Sequence, residues 1–234
     1  MIVALGVAEL KLLLRNRTAA ALAVLMPMAA GLYFALAMDG ERTGWTMVVT
    51  LQLVFSFGFT VYVTVTTALT ARRQDLYLKR LRTGAASDVV VLTGVLLPVV
   101  LLGLAQAFVL TGISVAAGAP MPARPELVVA ALVGGLALSS AAGVFTSGVT
   151  GTAELAQITT APFFFALVAG GLVGSSGAVD LPVFLVPGTG LGTLVAAAWG
   201  GPTDQVGPAT LSLALWTIAA TALATRFFRW DPRG

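Results

Sequence analysis

An all-α, multi-pass membrane protein with six crossings is the fold class this chain predicts, and three observations predict it. Its 234 residues are 58% hydrophobic and only 10% charged, with a mean hydropathy of +0.96, whereas soluble domains carry about 25% charged residues. Six apolar runs each reach the roughly 20 residues that a helix needs to cross hydrocarbon. All but Arg42 and Arg124 of the 13 Lys and Arg residues lie in three short stretches, Lys11–Arg17, Arg72–Arg82 and Arg226–Arg233. Two apolar runs separate the first stretch from the second and four separate the second from the third, so the chain returns to one side each time. Basic residues gather in cytoplasmic loops. Both termini are therefore expected inside, in the plasma (inner) membrane of a bacterium, whose GC-rich genome the excess of Arg over Lys suggests.

Residues 1–234 read as a single membrane domain, because no stretch is long and polar enough to fold separately in water. The net charge of +3 is no nucleic-acid signature, since the basic residues lie where membrane topology puts them. The chain has no Cys and no His. Disulfides, haem, Cys/His zinc sites and His-dependent acid–base steps are thereby excluded, and no catalytic, cofactor or metal residues are assigned.

The elements follow in order. Residues 1–17 predict an interfacial helix: at 100° per residue Val3, Gly6, Val7, Leu10, Leu13 and Leu14 share one face, and Glu9, Lys11, Arg15 and Asn16 the other. The alternative is the start of a tilted first span. Arg15 and Arg17 ahead of an apolar stretch, with Ala35-Leu36-Ala37 behind it, also resemble a cleavable signal. The mostly apolar residues 1–14 and the length of the apolar core favour a retained span.

The six spans are expected at 18–38, with Pro27 as a kink, and at 45–70, 89–117, 127–149, 155–174 and 208–228. Trp45 on the outside, and Phe227, Phe228 and Trp230 on the inside, fit interfacial belts. Short outer loops make hairpins of spans 1–2 and 3–4. The outer segment 175–207 differs: Leu181–Val186 and Leu191–Trp199 are apolar, too short to cross, and separated by Pro187-Gly188-Thr189-Gly190. Two short helices that dip into the outer leaflet and return are the reading.

The cytoplasmic loop 71–88 carries the mechanism. Asp75 and Lys79 are four apart, acid first, which supports a helix. Tyr77, Leu78 and Leu81 share one face of it, with Arg73 and Arg80 displaced. Gly84 ends it, and Ser87 or Asp88 can cap span 3. One account is positive-inside topology with an anionic-lipid contact. The other is a docking helix, a Tyr–Leu edge flanked by basic residues that receives a cytoplasmic partner.

The order of features resembles a known family. An N-terminal helix, Glu9-Leu10-Lys11-Leu12-Leu13-Leu14-Arg15-Asn16-Arg17, leads into the first span. The basic inner helix Arg73-Gln74-Asp75-Leu76-Tyr77-Leu78-Lys79-Arg80-Leu81-Arg82-Thr83-Gly84 follows span 2. An outer hairpin ending in Val186-Pro187-Gly188-Thr189-Gly190-Leu191-Gly192-Thr193-Leu194-Val195 follows span 5. Together they look like the permease subunit of an ABC-2 type exporter. Where that family often has Gly or Glu early in the inner helix and Pro after it, this chain has Gln74, Asp75 and Ala85.

The resemblance implies a dimer with a second copy or a homologous permease, and a cytoplasmic ATP-binding subunit docked on a coupling helix made of Arg73, Asp75, Leu76, Tyr77, Leu78, Lys79, Arg80, Leu81 and Arg82. It also implies a pathway lined by spans 2 and 5. Gln52, Phe55, Phe59, Phe163 and Phe164 are the candidates on those spans, and the aromatic ones suit ordinary helix packing as well as an apolar or amphipathic cargo. ATP and Mg would belong to the partner, because the chain lacks the GxxxxGK[ST] loop that cradles phosphates. Membrane lipid is the remaining partner, and nucleic acid is not one.

Two other classes stay open. A secondary transporter would place ionisable residues at mid-membrane, whereas Gln52 and Gln106 are the strongest polar residues there. A non-transporting scaffold or sensor subunit is the other. Gly170 and Gly174 fit either an oligomer seam or close packing within one subunit.

Overall fold

A computed structural model of the chain describes residues 2–37, 42–76, 87–177, 179–228 and 230. Among them every regular element is a helix. Six helices are long and apolar enough to cross a membrane: Arg17–Leu36, Gly44–Gln74, Asp88–Ala116, Pro125–Val149, Ala156–Ser175 and Val206–Phe227. These are spans 1 to 6 below, and they make the chain a multi-pass membrane protein. A helix at Ile2–Arg15 precedes them. The side of the bundle that carries the clustered Lys and Arg residues is here called the basic side.

Local signals place the boundaries. Asn16 caps span 1, its side chain accepting from the Ala19 N–H at 3.1 Å, and Ser87 caps span 3 by accepting from the Val90 N–H. Pro125 opens span 4, where its missing N–H costs nothing. Span 2 ends later than its composition suggests. The helix continues past Thr70 to Gln74, and Leu76, with φ of 55°, closes it in the left-handed region.

Span 2 is the centre of the bundle. Of its apolar stretch 89% is buried in the protein, against 22% for spans 1 and 6. Spans 1, 3, 4 and 5 pack around it, and span 6 packs on span 4. The N-terminal helix lies along span 3, where a side chain on Gly94 would collide with Leu5. Trp45, expected at an outer belt, is instead 3% exposed and packs with Ala35, Val48 and Ala119. Membrane belts need a half-exposed ring, so Trp45 is a core residue.

Two spans contain π-helical segments, Ala21–Leu25 in span 1 and Ser56–Val63 in span 2. The first lies just ahead of Pro27. Proline has no N–H, so the carbonyl four residues back, that of Ala23, loses its regular partner. Thr60 Oγ1 and Gln106 Nε2 approach that oxygen at 2.7 and 2.9 Å. The expected kink is therefore a π turn whose spare acceptor is satisfied from spans 2 and 3.

Between spans 5 and 6 the chain forms a 3-10 helix, Leu181–Leu185, and an α-helix, Thr189–Ala198. Every residue of the second is buried, among spans 2, 4, 5 and 6. Small residues permit this. A Cβ on Gly174 would meet the Thr189 carbonyl oxygen, and one on Gly192 the Gly171 carbonyl oxygen. Gly188, at φ of 96°, makes the turn between the two helices and presses on the Leu167 carbonyl. Gly170 and Gly174 thus face this short helix, which decides for packing within one subunit.

Candidate functional site

The basic end of span 2 holds the densest set of polar contacts, and three consecutive residues make them. Arg72 donates from Nη2 to Glu9 Oε2 at 2.8 Å and from Nε to Oε1 at 3.1 Å. Glu9 is 5% exposed, so this two-point pair fixes the N-terminal helix to span 2. Arg73 turns the other way, donating from Nη1 to the Ser147 carbonyl at 2.9 Å and from Nη2 to the Thr150 carbonyl. Those oxygens end span 4 and have no partner within their own helix. A guanidinium there also meets the negative end of the helix dipole. Gln74 Oε1 accepts from the Ala153 N–H at 2.9 Å, in the turn between spans 4 and 5.

This revises the expected docking helix. Arg73 is 1% exposed and belongs to span 2, and Asp75 and Leu76 form its exposed terminal turn. An inner helix cannot begin at Arg73, because the left-handed Leu76 breaks the helical path. Tyr77, Leu78, Lys79, Arg80, Leu81, Arg82 and Gly84 lie outside the described residues.

The candidate lining residues separate into two groups. Gln52 is wholly buried; its Nε2 donates to the Gly31 carbonyl at 3.0 Å, and its Oε1 accepts from Ser114 Oγ at 3.0 Å. It clasps spans 1, 2 and 3. Gln106 does the same from span 3, on Ala23 and Thr60. Thr50 and Thr67 donate within their own helix, as threonines in apolar surroundings do. Thr60 bridges spans, and Thr66, besides the Tyr62 carbonyl of its own helix, reaches the Gly143 carbonyl of span 4 at 3.2 Å.

The aromatic candidates do converge. Phe55 and Phe59 of span 2 meet Phe164 of span 5 with ring centroids 5.9 and 4.5 Å apart. Phe34 of span 1 meets Phe55 at 5.7 Å, and Tyr62 meets Phe163 at 4.9 Å. The separations and tilts are those of favourable aromatic pairs. Span 2 thus presents an aromatic ladder between spans 1 and 5, partly exposed at Phe55, Phe59 and Phe163.

On the basic side lies a cavity of about 740 Å³, bounded by the N-terminal helix and spans 1, 2, 3 and 5. Glu154, in the turn before span 5, and Gln157, in its first turn, reach it. Glu154 is exposed; its own backbone N–H and then the Thr152 hydroxyl hold its carboxyl below the usual value. It is therefore ionised at neutral pH.

On the opposite side Arg124, one of the two basic residues outside the clusters, has a structural task. Its Nη1 donates to the Ala197 carbonyl at 2.6 Å, and its backbone N–H to the Ala198 carbonyl at 3.1 Å. It closes the C-terminal end of the buried short helix. Trp199 Nε1 adds a bond to the Pro120 carbonyl at 2.8 Å. An arginine set apart from the basic clusters of the sequence is the signal for such a partner.

Among the described residues no group of His, Cys, Asp and Glu could hold a metal ion. The chain matches no protein-family model, no curated protein and no solved structure.

Proposed function

We propose that this chain is the membrane-spanning permease subunit of an ATP-driven exporter of the ABC-2 type, working as a dimer with separate ATPase subunits that bind ATP and Mg. In this reading the N- and C-termini are cytoplasmic, the N-terminal helix lies in the inner headgroup layer, and the short helices between spans 5 and 6 re-enter from the outside. The observation that carries it is the joint at Arg72, Arg73 and Gln74. Residues 77–86 follow the end of span 2 in the sequence, and the three side chains tie that end to the N-terminal helix, to span 4 and to the turn before span 5. A partner that moved the loop would move the most buried helix of the bundle together with its neighbours. Rigid, packed elements transmit such displacement because they do not deform continuously.

The aromatic ladder between spans 1 and 5 supports an apolar or amphipathic cargo. The mid-span amides favour this class over an ion-coupled carrier, since Gln52 and Gln106 are engaged in bonds between helices.

The test is affinity purification of the full chain, expressed with the ATPase encoded nearest to it. A stable complex that hydrolyses ATP and moves a reporter amphiphile outward is expected. A folded, membrane-inserted chain that recruits no ATP-binding protein would sink the reading.

A further inference from the structure

The cavity on the basic side has walls and charges that the transport reading does not use. Leu13, Leu22, Val95 and Val99 make its apolar lining, from the N-terminal helix and spans 1 and 3. Most polar groups that reach it are already committed. Arg72 is held by Glu9, Asn16 Oδ1 caps span 1, and the Thr64 and Thr67 hydroxyls donate to the Phe59 and Val63 carbonyls. Two charges reach it without a counter-charge, Arg15 and Glu154, the latter in hydrogen-bond contact with its own backbone N–H and the Thr152 hydroxyl. Both are exposed, they are opposite in sign, and neither has an ion-pair partner among the described residues. The volume of about 740 Å³ lies within the roughly 300–1,000 Å³ of small-molecule sites.

We propose that this cavity binds a zwitterionic amphiphile, a phospholipid whose head carries a phosphate and a primary ammonium. Arg15 takes the phosphate, Glu154 takes the ammonium, and an acyl chain lies along Leu22, Val95 and Val99. The match is one of charge and of hydrogen bonding. A guanidinium recognises phosphate oxygens with its planar donors. A primary ammonium donates three hydrogen bonds to a carboxylate environment, which a quaternary ammonium cannot do. A purely anionic head would satisfy Arg15 and be repelled by Glu154. The site needs no ATPase, so its test is independent of the transport reading.

The experiment is native mass spectrometry of the purified full chain in detergent, offered equal amounts of dioleoyl phosphatidylethanolamine, phosphatidylcholine and phosphatidylglycerol. Wild type should retain the ethanolamine lipid in preference to both others. Arg15→Gln and Glu154→Gln should each weaken that retention about tenfold, the scale of one charge-assisted hydrogen bond. Glu154→Gln should at the same time raise retention of phosphatidylglycerol. Ala68→Leu, which narrows the cavity from span 2, should weaken all three. Melting temperatures of the two charge variants should match wild type, since both side chains are exposed. Ethanolamine-lipid retention that is unchanged in both charge variants would overturn the site. So would phosphatidylglycerol held as tightly as phosphatidylethanolamine with no response to Glu154→Gln, because that is the behaviour of an unselective lipid annulus.

Discussion

Arg73 Nη1 donates to the carbonyl oxygen of Ser147 at 2.9 Å, which places a buried guanidinium from the end of span 2 on the last turn of span 4. The bond joins the two helices at the point where span 2 leaves the bundle. Arg72 and Gln74, on either side, reach different neighbours. A stretch of sequence that looks like a solvated basic loop is thus the knot of the basic side.

Removing that knot should cost stability. Arg73→Ala leaves the Ser147 and Thr150 carbonyls without their donor, and an unsatisfied buried polar group costs about 1–3 kcal/mol. Denaturant titration of the purified chain in detergent should show a lower midpoint for Arg73→Ala, while membrane insertion is retained. A midpoint equal to wild type would mean that the bonds contribute nothing.

The short buried helix makes a second stability prediction. Gly174→Leu drives a side chain into the Thr189 backbone, and overpacking of this kind typically costs about 1–3 kcal/mol. The loss should appear in the thermal melt of the single chain. A variant that melts normally but no longer self-associates would return Gly174 to the oligomer seam.

The spans were legible in the sequence because apolar length and the distribution of basic residues are both local signals. Ser87 was legible as well, since a cap needs only its own helix, whereas Asn16 was read as a polar-face residue of the N-terminal helix and not as the cap it is. Arg72, Arg73 and Gln74 were not legible. Their polarity says "loop", and only the distant partners Glu9, Ser147 and Ala153 turn them into the end of a helix. Trp45 failed for the same reason, because a tryptophan at a span edge reads as a belt until the neighbouring loop covers it. The pairing of Phe55 and Phe59 with Phe164 was within reach, since residues one turn apart share a helix face. The cavity formed by five separate elements was not.

Orientation has its own test. Cysteine placed at Thr203, an exposed position between the short helix and span 6, should react with a membrane-impermeant thiol reagent in intact cells. Cysteine at Thr83 should react only after permeabilisation. The chain has no native cysteine, so the labelling background is clean. The opposite pattern would invert the topology and remove residues 77–86 from the cytoplasm.

The chain alone should not hydrolyse ATP, because it has no glycine-rich loop followed by lysine to cradle the phosphates. Sustained hydrolysis by the purified single polypeptide, resistant to further purification, would require a different class of protein.

The last prediction separates docking from lipid attraction at residues 77–86. In the docking account Tyr77, Leu78 and Leu81 form the partner-facing edge. Tyr77→Ala or Leu81→Ala should then release the ATPase while leaving insertion and stability unchanged. Truncating a central interface anchor typically costs about 2 kcal/mol or more, around thirtyfold in affinity. In the lipid account the apolar substitutions are silent, and removing the charges matters instead. Arg80→Gln with Arg82→Gln should then weaken binding to anionic vesicles by about 1 kcal/mol per charge. The two accounts also differ in salt dependence, since an exposed electrostatic contact is screened within about 10 Å at 0.1 M salt, whereas an apolar anchor is not. The joint at Arg72, Arg73 and Gln74 adds a third arm. Arg73→Ala leaves the loop sequence intact but loosens its mooring to span 4, so it should preserve ATPase binding and reduce the ATPase stimulation that transport requires. Pull-down and ATPase assays of these variants side by side give three distinct patterns. Normal ATPase recovery with both Tyr77→Ala and Leu81→Ala would leave the docking account without its main support.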